Sequence, residues 1–168
     1  MVGRFITYVL EEIKLIQKNL PLLMNLAYSG YNRGLDGGDL SPKDGETFCN
    51  VFIQSICSGI GYGAFSGMNA NEMVHKMQLE TGDWISVSDP VAQNHANDGV
   101  LVIAGWNNPI GHGHVNLIIP GILEPSFSFG KSVPRCANVG KDVFFGKKIS
   151  FAFTPTNAPA YYALVSMI

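Results

Sequence analysis

The feature that most constrains the fold is a change of hydrophobic period near residue 100. Before it, Phe52, Ile53, Ile56, Cys57 and Ile60 recur at i, i+1, i+4, i+5 and i+8, one stripe of a 3.6-residue period. After it come short β-rich runs at Val100 to Ala104, Val115 to Ile119, Cys136 to Val139 and Ile149 to Phe153. Asn107-Asn108-Pro109, Pro120-Gly121 and Gly140 or Gly146 separate them, turns too brief for crossover helices. Helices followed by an antiparallel meander predict an α+β fold, with N-terminal helices packed on a C-terminal sheet over residues 100 to 154.

The helical half reads in order. Phe5, Val9, Ile13, Ile16 and Leu20 fall at helical spacing, which predicts an amphipathic helix over residues 3 to 19 whose apolar face packs on a core. Pro21 opens a second segment, Leu22 to Tyr28, ending at Gly30, so that residues 1 to 28 hold the N-terminal helices. Residues 30 to 46 contain five glycines, Pro42 and three aspartates and predict a surface loop. A helix over 47 to 60 follows, with Thr47 as N-cap and Gly59 and Gly61 as stops. Asn69 with Glu72 has the spacing of a capping box, with Met73, Val74 and Met77 inward and Gly82 as the stop. Asp89-Pro90 starts a last short helix that Asn97-Asp98-Gly99 ends.

The chain has 168 residues, enough for one domain with a proper core, and we read residues 1 to 168 as one. Eleven basic and thirteen acidic residues, with no basic cluster beyond Lys147-Lys148, argue against nucleic acid and anionic membrane as partners. The uncharged stretch from Gly99 to Leu123 is 25 residues long, but His112, His114, Pro109 and Pro120 exclude a membrane span. Residues 1 to 20 mix Glu11, Glu12, Lys14 and Lys18 among apolar residues and lack a small-residue cleavage site, unlike a signal peptide. Three irregularly spaced cysteines fit neither a disulfide framework nor a paired-cysteine metal site.

Two stretches carry chemistry. Cys49 falls in the first turn of its helix, where free backbone N–H groups and the positive end of the dipole favour a thiolate, so we expect a nucleophile at neutral pH. Gly111-His112-Gly113-His114 leads into an apolar strand, and His114, abutting Val115, stands at its edge. His112, two residues away, is the competing base. A metal site of His112, His114 and a cysteine lacks a fourth ligand at familiar spacing. Cys57 on the apolar stripe and Cys136 in a strand region read as core; His75 and His95 read as solvent-facing. Trp84 and Trp106 are candidates for a cleft lining, although packing is the commoner use of tryptophan.

A cysteine opening a buried helix, then a Gly-His-Val strand, then a polar residue on the next strand resembles the NlpC/P60 and CHAP superfamily of papain-like peptidoglycan amidases and endopeptidases. The run from Val100 to Gly121 and the later Ala137-Asn138-Val139-Gly140 carry the likeness, which spans residues 25 to 153. Typical NlpC/P60 enzymes have Asp-Cys-Ser-Gly where this chain has Phe48-Cys49-Asn50-Val51, so the CHAP-like or a divergent branch fits better.

The resemblance implies a papain-like single domain with Cys49 as nucleophile, His114 as general base and Asn138 as the residue that orients His114. Glu124 and Ser128 compete with Asn138 for the third role, and Tyr31 corresponds to an upstream tyrosine near the oxyanion site of some members. The implied reaction is hydrolysis of an amide in bacterial peptidoglycan, within the stem peptide or between muramic acid and alanine, without metal or organic cofactor. The implied setting is cytoplasmic synthesis followed by action in the periplasm or cell wall after export or lysis, with an immunity or delivery protein as a compatible partner. Two other functions suit the same residues: a protease, deamidase or acyltransferase acting on protein, and a binding or virion-structural domain whose site is silent.

Overall fold

In a computed structural model of the chain, which describes residues 2–79 and 82–168 without the side chains of 2–9, 12, 16 and 17, one helix, α1 (Val2–Gly34), replaces the expected pair. Pro21 lies inside it, at a position that reads as a boundary because an internal proline costs about 3 kcal/mol. What outweighs that cost is packing further along: Leu23, Ala27, Gly30 and Gly34 are buried at helical spacing. Gly30 and Gly34, read as loop residues, are packing positions. A Cβ at Gly30 would stand 2.5 Å from the Phe52 ring, and one at Gly34 would stand 2.8 Å from Val139. The expected inward face of the first half is only partly described: Phe5, Val9 and Ile16 lie outside the described side chains, and Ile13 is 44% exposed.

Helix α2 (Cys49–Gly59) starts one residue later than its expected cap. Phe48 occupies the N-cap position without a side-chain hydrogen bond, Thr47 is exposed, and Cys49 is the first helical residue, not the second. Helix α3 (Ala70–Gln78) has the expected capping box, with Asn69 accepting from the Glu72 N–H and Glu72 accepting from the Asn69 N–H. Helix α4 (Asp89–Asn97) ends before Gly99, whose φ of +76° suits glycine.

Eight strands follow or interleave: β1 (Trp84–Val87), β2 (Val102–Trp106), β3 (His114–Ile118), β4 (Glu124–Ser126), β5 (Lys131–Val133), β6 (Arg135–Val139), β7 (Val143–Lys148) and β8 (Ala160–Leu164). Six form an antiparallel sheet in the order β1-β8-β2-β3-β6-β7, while β4 and β5 make a separate hairpin. The fold is α+β with an antiparallel sheet. The expected meander survives as β2-β3-β6-β7. It is extended by β8 and β1, both outside the 100 to 154 range and both short enough to escape a pattern search. Residues 149 to 151, expected to be a strand, form a 3-10 turn, and β7 takes their place with Gly146 at φ +79°.

Helices cover both faces. On one, α1, α2 and α3 pack through Phe52, Ile53, Ile56, Met73 and Met77 onto Ile103, Val115, Leu117 and Val139. On the other, α4 packs through Ala92 and Ala96 with Val102, Ile118, Phe153 and Tyr161. Being buried on both faces is why the β2 and β3 segments read as unbroken apolar runs instead of alternating ones. Among the described residues no helix is long and apolar enough to cross a membrane.

Candidate active site

Cys49 is buried, 4% exposed, at the bare N-terminus of α2. The backbone N–H groups of Val115, Asn50 and Cys49 itself favour its thiolate. Burial nevertheless holds the thiol above its ordinary value of 9.0, because desolvation penalises the thiolate more than these N–H groups favour it. The expected standing thiolate is therefore corrected to a protonated thiol.

His114 opens β3 and is partly buried. Its Nε2 lies 2.7 Å from Oδ1 of Asn138 on β6, and the Nδ2 of Asn138 donates to the Asp142 carbonyl at 2.6 Å. That second bond orients the amide, so in the neutral ring Nε2 carries the hydrogen and Nδ1 is left as the basic nitrogen. Gly140 makes room for the ring, since a Cβ there would be 2.7 Å from His114 Cε1. Burial lowers the His114 pKa below 6.5, partly offset by Asn138, so the imidazole is neutral at neutral pH.

Cysteine and histidine approach β3 from different sides. Val115 and Leu117 belong to the layer that holds Cys49, whereas the His114 ring tilts against Phe153 of the opposite layer, with centroids 5.1 Å apart. Val115, whose backbone N–H favours the thiolate, is the residue that follows His114 in β3. Among the described residues no hydrogen bond joins the Cys49 thiol to the His114 ring. His112 is exposed and lines the cavity into which Cys49 opens, a space of about 730 Å³ shared with Glu46, Asn71 and Gly113.

The competitors for the orienting role lie elsewhere. Glu124 pairs with Arg135, and Ser128 is exposed in the β4–β5 turn beside Ser126. Tyr31 sits in a ring cluster with Tyr28 and Phe145. Compared with known proteins, the chain matches no family model and no curated protein. Geometry therefore carries the functional argument.

Other side chains are structural. Trp84 is buried, stacked on Phe65 with its Nε1 donating to the Tyr62 hydroxyl, and so lines no cleft. Cys57 and Cys136 are both buried with their thiols pushed up, Cys57 to about 12. Among the described residues no three His, Cys, Asp or Glu side chains converge as metal ligands would. The sequence reading overlooked Asn71, whose side chain ties α3 to the loop between β2 and β3; its neighbours in the capping box drew the argument instead.

Proposed function

We propose that the chain is a papain-like cysteine hydrolase that cleaves an amide bond of bacterial peptidoglycan. The observation that carries this reading is a buried cysteine at the start of α2, lining a cavity with His112, on a helix packed against β3, whose first residue, His114, lies 2.7 Å from Asn138. Each part has a chemical use. An imidazole, His114 by the resemblance or His112 by the shared cavity, accepts the Cys49 proton as sulfur attacks the carbonyl, and free N–H groups at the start of α2 receive the oxyanion. Collapse breaks the C–N bond, and the imidazolium protonates the departing amine. Water, deprotonated by the same ring, then hydrolyses the thioester and returns the thiol.

A protonated thiol with a neutral imidazole as base suits general-base attack, which needs no thiolate in the free protein. For His114 to serve as the base, its ring must turn from the Phe153 side of β3 to the Cys49 side when substrate binds. The cavity provides a variant: His112 faces the same space as Cys49 and is the alternative base. A different class, a binding domain with a silent site, is favoured by that separation and by the raised thiol. Work on peptidoglycan by this chain would need export or lysis.

Digestion of purified sacculi, with denatured protein as a parallel substrate, tests the reading. Wild type should release fragments whose masses identify the bond cut, and Cys49→Ala should release none. Equal release by Cys49→Ala would end the proposal, and cleavage of the protein alone would move it to a protein-directed hydrolase.

A further inference from the structure

Asn71, in the first turn of α3, spends its side chain on another part of the chain. Its Nδ2 donates to the carbonyls of Asn108 at 2.9 Å and Gly111 at 2.8 Å, and its Oδ1 accepts the Asn108 N–H at 2.8 Å. One amide thus uses both donors and an acceptor on the loop between β2 and β3. Within the loop, Asn108 Nδ2 donates to the His112 carbonyl at 3.3 Å and Asn108 Oδ1 accepts the Ile110 N–H at 3.3 Å. The fit is close: a Cβ at Gly113 would stand 2.2 Å from Asn71 Oδ1 and 2.6 Å from the Trp106 carbonyl.

The other end of this connection is anchored on the cysteine helix. Asn50 and Gln54 of α2 both donate to the Met68 carbonyl, at 3.2 and 2.6 Å, just before the Asn69–Glu72 capping box that starts α3. A chain of hydrogen bonds therefore runs from α2 through Met68 and α3 to Asn71 and the His112 loop. It spans the cavity that Cys49, Asn71, His112 and Gly113 line together.

We propose that Asn71 is a positioning residue of the hydrolytic site, holding the 107–113 loop so that His112 stays across the cavity from Cys49. The proposal rests on the cysteine-hydrolase reading for its kinetic consequence, though not for its geometric one. A residue with only a structural role would change stability and leave the turnover of the folded protein alone. A positioning residue changes kcat, because displacement of about 1 Å costs on the order of 10²-fold.

Asn71→Asp is the informative variant. It keeps the shape, removes both donors and places a carboxylate in the first turn of α3, where the helix dipole favours it. We expect kcat on muropeptides to fall about 10²-fold with KM little changed. We also expect the pH profile of iodoacetamide alkylation at Cys49 to shift, because the loop that lines its cavity is displaced. Gly113→Ala, which pushes the loop off Asn71 from the other side, should reproduce both effects, and it decides the matter if Asn71→Asp fails to fold. Wild-type kcat and an unchanged alkylation profile in a folded variant would overturn the proposal, even with a lowered Tm. A wild type that cleaves no muropeptide, combined with a shifted alkylation profile in Asn71→Asp, would sink the hydrolase reading and leave the loop clamp standing.

Discussion

The imidazole of His114 and the amide of Asn138 form one unit: Nε2 lies 2.7 Å from Oδ1, and Nδ2 of the same asparagine is secured to the Asp142 carbonyl at 2.6 Å. Ring orientation, tautomer and proton affinity all depend on this pair.

Asn138→Ala should therefore lower kcat by roughly 10²-fold, the order expected when a reacting group loses its orientation. Asn138 raises the His114 pKa against the lowering by burial, so its removal should move the acid limb of the pH–rate profile to lower pH. A profile of kcat/KM against pH for both proteins measures this; an acid limb that stays in place would show that Asn138 does not govern the base.

Two histidines compete for the base, and substitution separates them. His114→Ala should cost about 10²- to 10⁴-fold in kcat, the range of a general base, and His112→Ala should leave kcat within a few-fold of wild type. The reverse result would assign the base to His112, which shares the cavity with Cys49.

His114 also makes stability depend on pH. Its pKa is lowered on folding, so below the ordinary 6.5 the unfolded chain binds a proton that the folded chain refuses. The neutral ring's contribution is complete above that value and is lost as pH falls from it toward the folded pKa. Urea midpoints measured on both sides of pH 6.5 should drop on the acid side for wild type and drop less for His114→Gln.

Asn116 is fully buried on β3, and among the described residues neither polar atom of its side-chain amide has a hydrogen-bond partner. Replacing an unpaired buried amide by an apolar group of the same shape removes a desolvation penalty of about 1–3 kcal/mol. Asn116→Leu should therefore match or exceed wild type in chemical denaturation. A loss of more than about 1 kcal/mol would indicate that the amide is satisfied in solution.

Gly34→Ala should have the opposite effect. The added carbon would meet Val139 at 2.8 Å, in a contact that seats α1 on β6, and such overpacking costs about 1–3 kcal/mol. A denaturation curve that superimposes on wild type would mean that the helix can shift without cost.

Features governed by neighbours along the chain were readable from the residues alone. The 3.6-residue stripe of α2, the capping box of α3, the Asp89-Pro90 start of α4 and the apolar runs of β2 and β3 each depend on a few adjacent residues, and each is present. Thr47 and Phe48 mark the edge of that method. A threonine is the better cap by preference, but packing of α2 sets its start and leaves Phe48 at the cap without a side-chain bond.

What depended on distant contacts was not readable. Pro21 stays inside a helix because Leu23, Ala27 and the glycines beyond it are held by α2 and the sheet, a reward that no local propensity contains. Strand β1 pairs with β8 across some eighty residues of chain, and β8 pairs also with β2, so four- and five-residue segments with ordinary composition gave little warning of them. The protonation state of Cys49 reversed for the same reason. Helix position, which is local, favours the thiolate, while desolvation, which the whole fold imposes, favours the thiol and prevails. Sequence alone thus determined the α+β class and supplied the candidate residues; tertiary structure decided which of them meet, which face the cavity and which carry a charge. Periodicity and capping act over one or two turns of chain, whereas burial and side-chain convergence exist only once distant segments have packed.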